Sequence, residues 1–151
     1  MRRILWLVPA LVAMIGLFGS NVYAERLPGS DHGGLPLAAT LAPGNEVPGP
    51  GEAGDSGTAQ ITLNHGQSEV CWELNVVTAT KPVAAHIHVG SASVAGPIVV
   101  PLSAPVGGVA SGCRSVSREL VEAIRDNPSG YYVNVHTTAR PGGAIRGQLH
   151  R

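Results

Sequence analysis

The chain has a single lysine, Lys81, and few charged residues of any kind, 13% of the total. Once Arg2 and Arg3 of the N-terminal segment are set aside, eight basic residues stand against ten acidic ones, a net charge of −2. Partners that need a basic patch, nucleic acid or an anionic membrane surface, are therefore excluded as the main ligand. Aromatic residues make up only 4%. No phosphate-cradling glycine motif occurs, and no nucleophile-elbow pattern surrounds Ser91 or Ser93 near His88. Outside the leader and the one helical stretch, the carboxylates reduce to Glu46, Glu52, Asp55, Glu69 and Glu73, a thin supply for paired-acid glycoside chemistry. Only two cysteines are present, Cys71 and Cys113, and neither has CxxC spacing.

Long apolar runs are also scarce: one occurs, Ile4 to Phe18, behind Arg2 and Arg3 and ahead of Asn21-Val22-Tyr23-Ala24. A positive start, an apolar core and small residues at Val22 and Ala24 make residues 1–24 a secretory signal peptide with cleavage after Ala24. The run is short for a bilayer span of roughly 20 residues, and no span is expected after cleavage. The expected location is the periplasm or the exterior, with an extracellular or envelope partner that the sequence does not identify. In an oxidising compartment two thiols normally close, so Cys71 and Cys113, 42 residues apart, are expected to form a structural disulfide.

Residues 25–36 read as a flexible leader and 37–151 as one β domain. Alternation marks strands at Leu35–Leu41, Gly57–Asn64, Glu69–Val77, Ala84–Val89, Ile98–Val100 (ended by Pro101), Ser111–Val116, Tyr131–Thr137 and Ala144–Leu149. Pro82 interrupts the region ahead of Ala84, and Ala42–Gly51 is a Pro/Gly loop that excludes helix and central strand. Ser117–Asp126 is the one helix, capped by Ser117 and striped by Leu120, Val121 and Ile124. Short strands with one short helix predict an all-β fold, an antiparallel β-sandwich or Greek-key barrel.

Side chains alternate between the faces of a strand. Ile87, Val89, Val133, Val135, Ile145 and Leu149 therefore form apolar faces, and His86, His88, Tyr132, Asn134, His136, Arg146 and Gln148 form polar ones. Two histidines at i and i+2 stand about 7 Å apart at Cα, and a third from a neighbouring strand would complete a three-ligand set for copper or zinc with an open position. The same histidines could instead be a structural hydrogen-bond network. Glu46 is the carboxylate expected to pair with Arg146 or to orient a histidine.

The segments Leu41–Pro48, Ala84–Gly90, Gly130–Thr137 and Pro141–Leu149 resemble, in that order, the CHRD domain, a module repeated in chordin and found alone in exported microbial proteins. Gly49 stands where the family often has a second proline. The resemblance implies a secreted β domain, a binding or cell-envelope module, and no particular activity. A second likeness, to copper/zinc superoxide dismutases, rests on His86, His88, His136, Gly142, Gly143 and Arg146. It implies copper at the histidines and an arginine that guides an anionic substrate. It lacks the bridging histidine and the zinc cluster, so what it adds is a mononuclear copper or zinc site with redox or metal-handling activity as the alternative function.

Overall fold

The computed structural model describes residues 33–151; the expected signal peptide and the expected leader as far as residue 32 lie outside the described residues. Eight strands follow in chain order: β1 Leu35–Leu41, β2 Ser56–Asn64, β3 Glu69–Val77, β4 Pro82–Val89, β5 Ile98–Leu102, β6 Val109–Ser115, β7 Tyr131–Thr137 and β8 Ile145–Gln148. They form two antiparallel four-stranded sheets, β1-β2-β3-β6 and β5-β4-β7-β8. The all-β sandwich with one short helix is thus the observed architecture. β1 begins two residues ahead of the expected domain start.

The alternating apolar residues meet between the sheets. Ala59, Ile61 and Leu63 of β2 and Val70, Trp72, Leu74 and Val76 of β3 join Ala85 and Ile87 of β4, Val133 and Val135 of β7, and Ile145 of β8 in one buried cluster. Along one side the sheets are stitched together. Ala38 and His150 exchange backbone bonds of 2.8 and 2.9 Å, and Ala42 and Arg146 exchange bonds of 3.0 and 3.2 Å. This seam carries the loop after β1 directly over the end of β8.

The helix α1 spans Arg118–Asp126, with the Ser117 side chain accepting from the Leu120 N–H and with Val121 and Ile124 buried. Cys71 and Cys113 are directly opposite each other on β3 and β6 and form a disulfide, as expected. Among the described residues no helix is long and apolar enough to cross a membrane.

Five strands differ in their bounds from the sequence reading: β2 begins one residue earlier, β8 is one residue shorter at each end, β6 begins at Val109, and β5, β4 and the end of β6 differ as follows. β5 runs through Pro101 to Leu102, which is permitted because β5 is an edge strand and Pro101 needs no partner for an N–H on its open side. β4 already begins at Pro82, with an irregularity in its pairing between Pro82 and Ala84. β6 ends at Ser115, and the Val116 N–H donates instead to the Ser68 carbonyl at 2.9 Å. The loop after β1 also contains one 3-10 turn, Pro43–Asn45, where only irregular backbone was expected; proline at its first position needs no N–H partner.

Candidate functional site

The outer face of the β5-β4-β7-β8 sheet collects the polar residues that alternation assigned to it. β7 lies between β4 and β8, and the register sets His86 opposite Asn134 and Asn134 opposite Arg146, then His88 opposite Tyr132 and Tyr132 opposite Gln148. His136 pairs with Ala84 one step along. Two loops close over this face, residues 43–51 at the β8 side and residues 90–97 near the β4 end.

His86, His88 and His136 converge: one nitrogen from each lies within 4.8 Å of those from the other two. The hydrogen bonds indicate which nitrogens are free to ligate. His88 Nδ1 is 2.9 Å from the Gly96 carbonyl oxygen, and His136 Nδ1 is 3.0 Å from that of Pro141. A carbonyl only accepts, so both Nδ1 atoms carry the proton, and in the neutral rings both Nε2 atoms are bare lone pairs. The His136 Nε2 lies 3.1 Å from His86 Nδ1. The His88 Nε2 is buried and has no hydrogen-bond partner. A purely structural network therefore satisfies two of the three rings and strands the third. An ion held by His88 Nε2, His136 Nε2 and His86 Nδ1, with the His86 proton then on Nε2, would use all three lone pairs, and carbonyl acceptors behind ligating imidazoles are the usual outer shell of such sites.

All three rings are held neutral. Burial, followed by the neighbouring His136 and His88, pushes His86 down from 6.5 to about 4. Burial also lowers His88, against the opposing Gly96 bond and with some help from Arg146. It lowers His136 against the Pro141 bond, with His88 contributing. Neutral imidazole is the form that ligates a metal.

The β8 half of the face is built differently from the expectation for Glu46. This residue, 7% exposed, accepts hydrogen bonds from Asn134 Nδ2 at both carboxylate oxygens, 2.8 and 2.9 Å. It neither pairs with Arg146 nor orients a histidine, because the loop that carries it, fixed by Asn45 Nδ2 donating to the Arg146 carbonyl at 3.0 Å, sets it over β7. Burial raises its pKa from 4.5 to about 7, against the lowering effect of Arg146, the Asn134 bond and the Val47 N–H. Gly143 has φ +138°, and a side chain there would run into the Glu46 carboxylate, so glycine keeps that space clear.

Arg146 is 1% exposed. Its Nη2 donates to the Ser91 carbonyl at 2.6 Å and to Gln148 Oε1 at 3.2 Å. Its Cζ lies 3.4 Å from the centre of the Tyr132 ring, a cation–π contact. The other face of Tyr132 stacks on His88, 4.8 Å between centroids and 8° between planes, since β4 and β8 flank β7 on opposite sides. An arginine buried and bonded in this way does not present its charge to solvent, as the guiding role implied by the dismutase likeness would need.

Sequence reasoning placed Tyr132 and Gln148 on this face without giving either a role. Gln148 Nε2 donates to the carbonyls of Gly90, Ser129 and Tyr131 at 3.0, 2.7 and 3.2 Å, and the Gly96 N–H donates to the Tyr132 hydroxyl at 3.1 Å. Tyr132 was legible from its alternation with Val133. The carbonyls of Gly96 and Pro141 left no signal, because they belong to backbone.

Comparison with known proteins gives a consistent frame. No curated protein and no solved structure matches the chain. The CHRD domain family model matches residues 37–149, which takes in every strand that carries the polar face. On that match, over most of its length, the chain belongs to the CHRD domain family.

Proposed function

We propose that the chain is an exported CHRD-type binding domain that holds one copper or zinc ion between His86, His88 and His136. The observation that carries this reading is the stranded His88 Nε2. It is a buried lone pair on one of three imidazoles that each bring a nitrogen within 4.8 Å of the other two, and its ring is held by the Gly96 carbonyl at Nδ1. Leaving a buried acceptor unsatisfied costs about 1–3 kcal/mol, and an ion at this point removes that cost. Three imidazoles suit copper and zinc and leave a position for a further ligand. The Cys71–Cys113 disulfide fits an oxidising compartment, and the N-terminal signal pattern supports export. A binding or envelope role toward an extracellular partner is the reading that family membership favours. The redox-enzyme alternative gains nothing from Arg146, which is buried away from solvent.

The test is metal content by mass spectrometry on protein exported in copper- and zinc-supplemented medium, beside a His86→Ala/His136→Ala double variant. Near one ion per folded chain, lost in the variant, is the expected result. A folded, disulfide-closed protein with no bound copper or zinc would sink the metal reading and return the histidines to a structural role.

A further inference from the structure

The Cys71–Cys113 disulfide is buried at one end and exposed at the other. The two residues face each other across β3 and β6, on the sheet that does not carry the three histidines. Cys71 lies on an interior strand and is 0% exposed; Cys113 lies on the edge strand β6 and is exposed. On its far side Cys71 meets β2. Its register partner there, Thr62, is buried, and Asn64 Nδ2 lies 3.5 Å from Cys71 Sγ. Gly34 packs onto Thr62 and Asn64 so closely that a side chain on it would run into both. Glu69 Oε1 lies 3.3 Å from Cys71 Sγ. Beyond Cys113 the sheet order places no further strand, and the neighbouring Arg114 and Ser115 are exposed.

From this asymmetry we infer that Cys113 is a thiol-exchange site, which takes a low-molecular-weight thiol as a mixed disulfide. A thiolate attacks a disulfide sulfur along the line of the bond it breaks. Extended past Cys71, that line runs over β2 toward Thr62 and Asn64; extended past Cys113, it leaves the sheet at its open edge. In the exchange an S–S bond forms between the incoming sulfur and Cys113 while the Cys71–Cys113 bond breaks. The bonding pair leaves on Cys71, which takes up the proton that the thiol gave up. One disulfide replaces another, with no net oxidation. Glu69 acts in two opposed ways: its carboxylate repels a thiolate arriving at Cys71, and it makes Cys71 the poorer leaving group. Access decides the outcome, because a covered sulfur is not attacked whatever group it would expel. The S–H formed at Cys71 has Glu69 Oε1 in place as an acceptor. Backbone pairing of β3 with β6 from Glu69 to Asn75 holds Cys71 opposite Cys113, from where it can expel the thiol again. The proposal does not depend on the metal reading.

Sulfite tests the direction of attack, because it leaves a sulfonate on the sulfur it attacks. Applied to the folded wild-type protein, followed by iodoacetamide and peptide mass spectrometry, it should leave the sulfonate on Cys113 and the alkyl group on Cys71. The expected preference is about tenfold or more, falling to about threefold or less in urea, where both sulfurs are open. Glutathione disulfide tests thiol uptake on single variants that circular dichroism shows to be folded. Cys71→Ser should form the adduct at Cys113 about tenfold or more faster than Cys113→Ser forms one at Cys71. Sulfonate on Cys71 as often as on Cys113, no sulfonate on the folded protein, a preference that urea leaves unchanged, or no adduct in Cys71→Ser would each overturn the proposal.

Discussion

Glu46→Gln in the ligand-free, chelator-treated protein isolates what burial of that carboxylate costs. The folded pKa of Glu46 is about 7 and its ordinary value is 4.5. Between these values the folded state binds a proton that the unfolded state has lost, so stability falls as pH rises through this window and is lowest above about 7. The displacement corresponds to about 3 kcal/mol at high pH. Glutamine never ionises and keeps a side-chain oxygen for Asn134, though the bond from Asn134 Nδ2 to a charged acceptor becomes a neutral one, a loss of about 1 kcal/mol. The variant should therefore be more stable than the wild type by about 2 kcal/mol near pH 8, a rise in Tm of roughly 6–10 °C for a domain of this size. At about pH 5 the wild-type carboxyl is itself protonated, and the two proteins should agree within about 1 kcal/mol. Urea denaturation at both pH values, with equal m-values, reads the difference directly. A variant that is less stable near pH 8, or a gap that does not change with pH, would refute the reasoning: Glu46 would then be ionised in the fold at no cost.

The histidines should act in the opposite sense. His86 has a folded pKa of about 4 against 6.5 unfolded, so the metal-free fold is fully stable above 6.5 and loses stability as pH falls toward 4; His86→Gln should flatten that acid limb in melts across this range. Replacing Cys71 and Cys113 together by alanine opens a 42-residue loop and should cost about 4 kcal/mol by the chain-entropy estimate, seen as a lower urea midpoint.

Much of this architecture is legible in the sequence because a half-buried strand exposes its own period. Ile87 between His86 and His88, Val133 and Val135 around Asn134, and Ile145 beside Arg146 can each be assigned a face from neighbours alone, and all four apolar residues are buried between the sheets. The Cys71–Cys113 bond followed from compartment chemistry. Strand ends were less legible: Pro101 terminates a central strand and is tolerated in an edge strand, and which strands form edges is a property of sheet order, not of local pattern. The partner of Glu46 was misjudged for a similar reason. Charge complementarity singles out Arg146, but the Asn45 bond to the Arg146 carbonyl sets the loop so that the carboxylate meets Asn134.

What distinguishes the two halves of the polar face is the source of their restraint. At the histidines, backbone carbonyls of two separate loops fix the tautomers of His88 and His136, so the donor set depends on loop conformation more than on any further side chain. At Glu46 and Arg146 the restraint comes through side chains that also hold the loops: Asn45 binds the β8 backbone, while Arg146 and Gln148 bind the Ser91 and Gly90 carbonyls. The Gly90–Pro97 loop is thus gripped at its start from β8 and at Gly96 by His88 and Tyr132. Tyr132, pressed between His88 and Arg146, touches both halves. A displacement of Arg146 would therefore be passed to Tyr132 and to the start of this loop, and through them to the ring of His88.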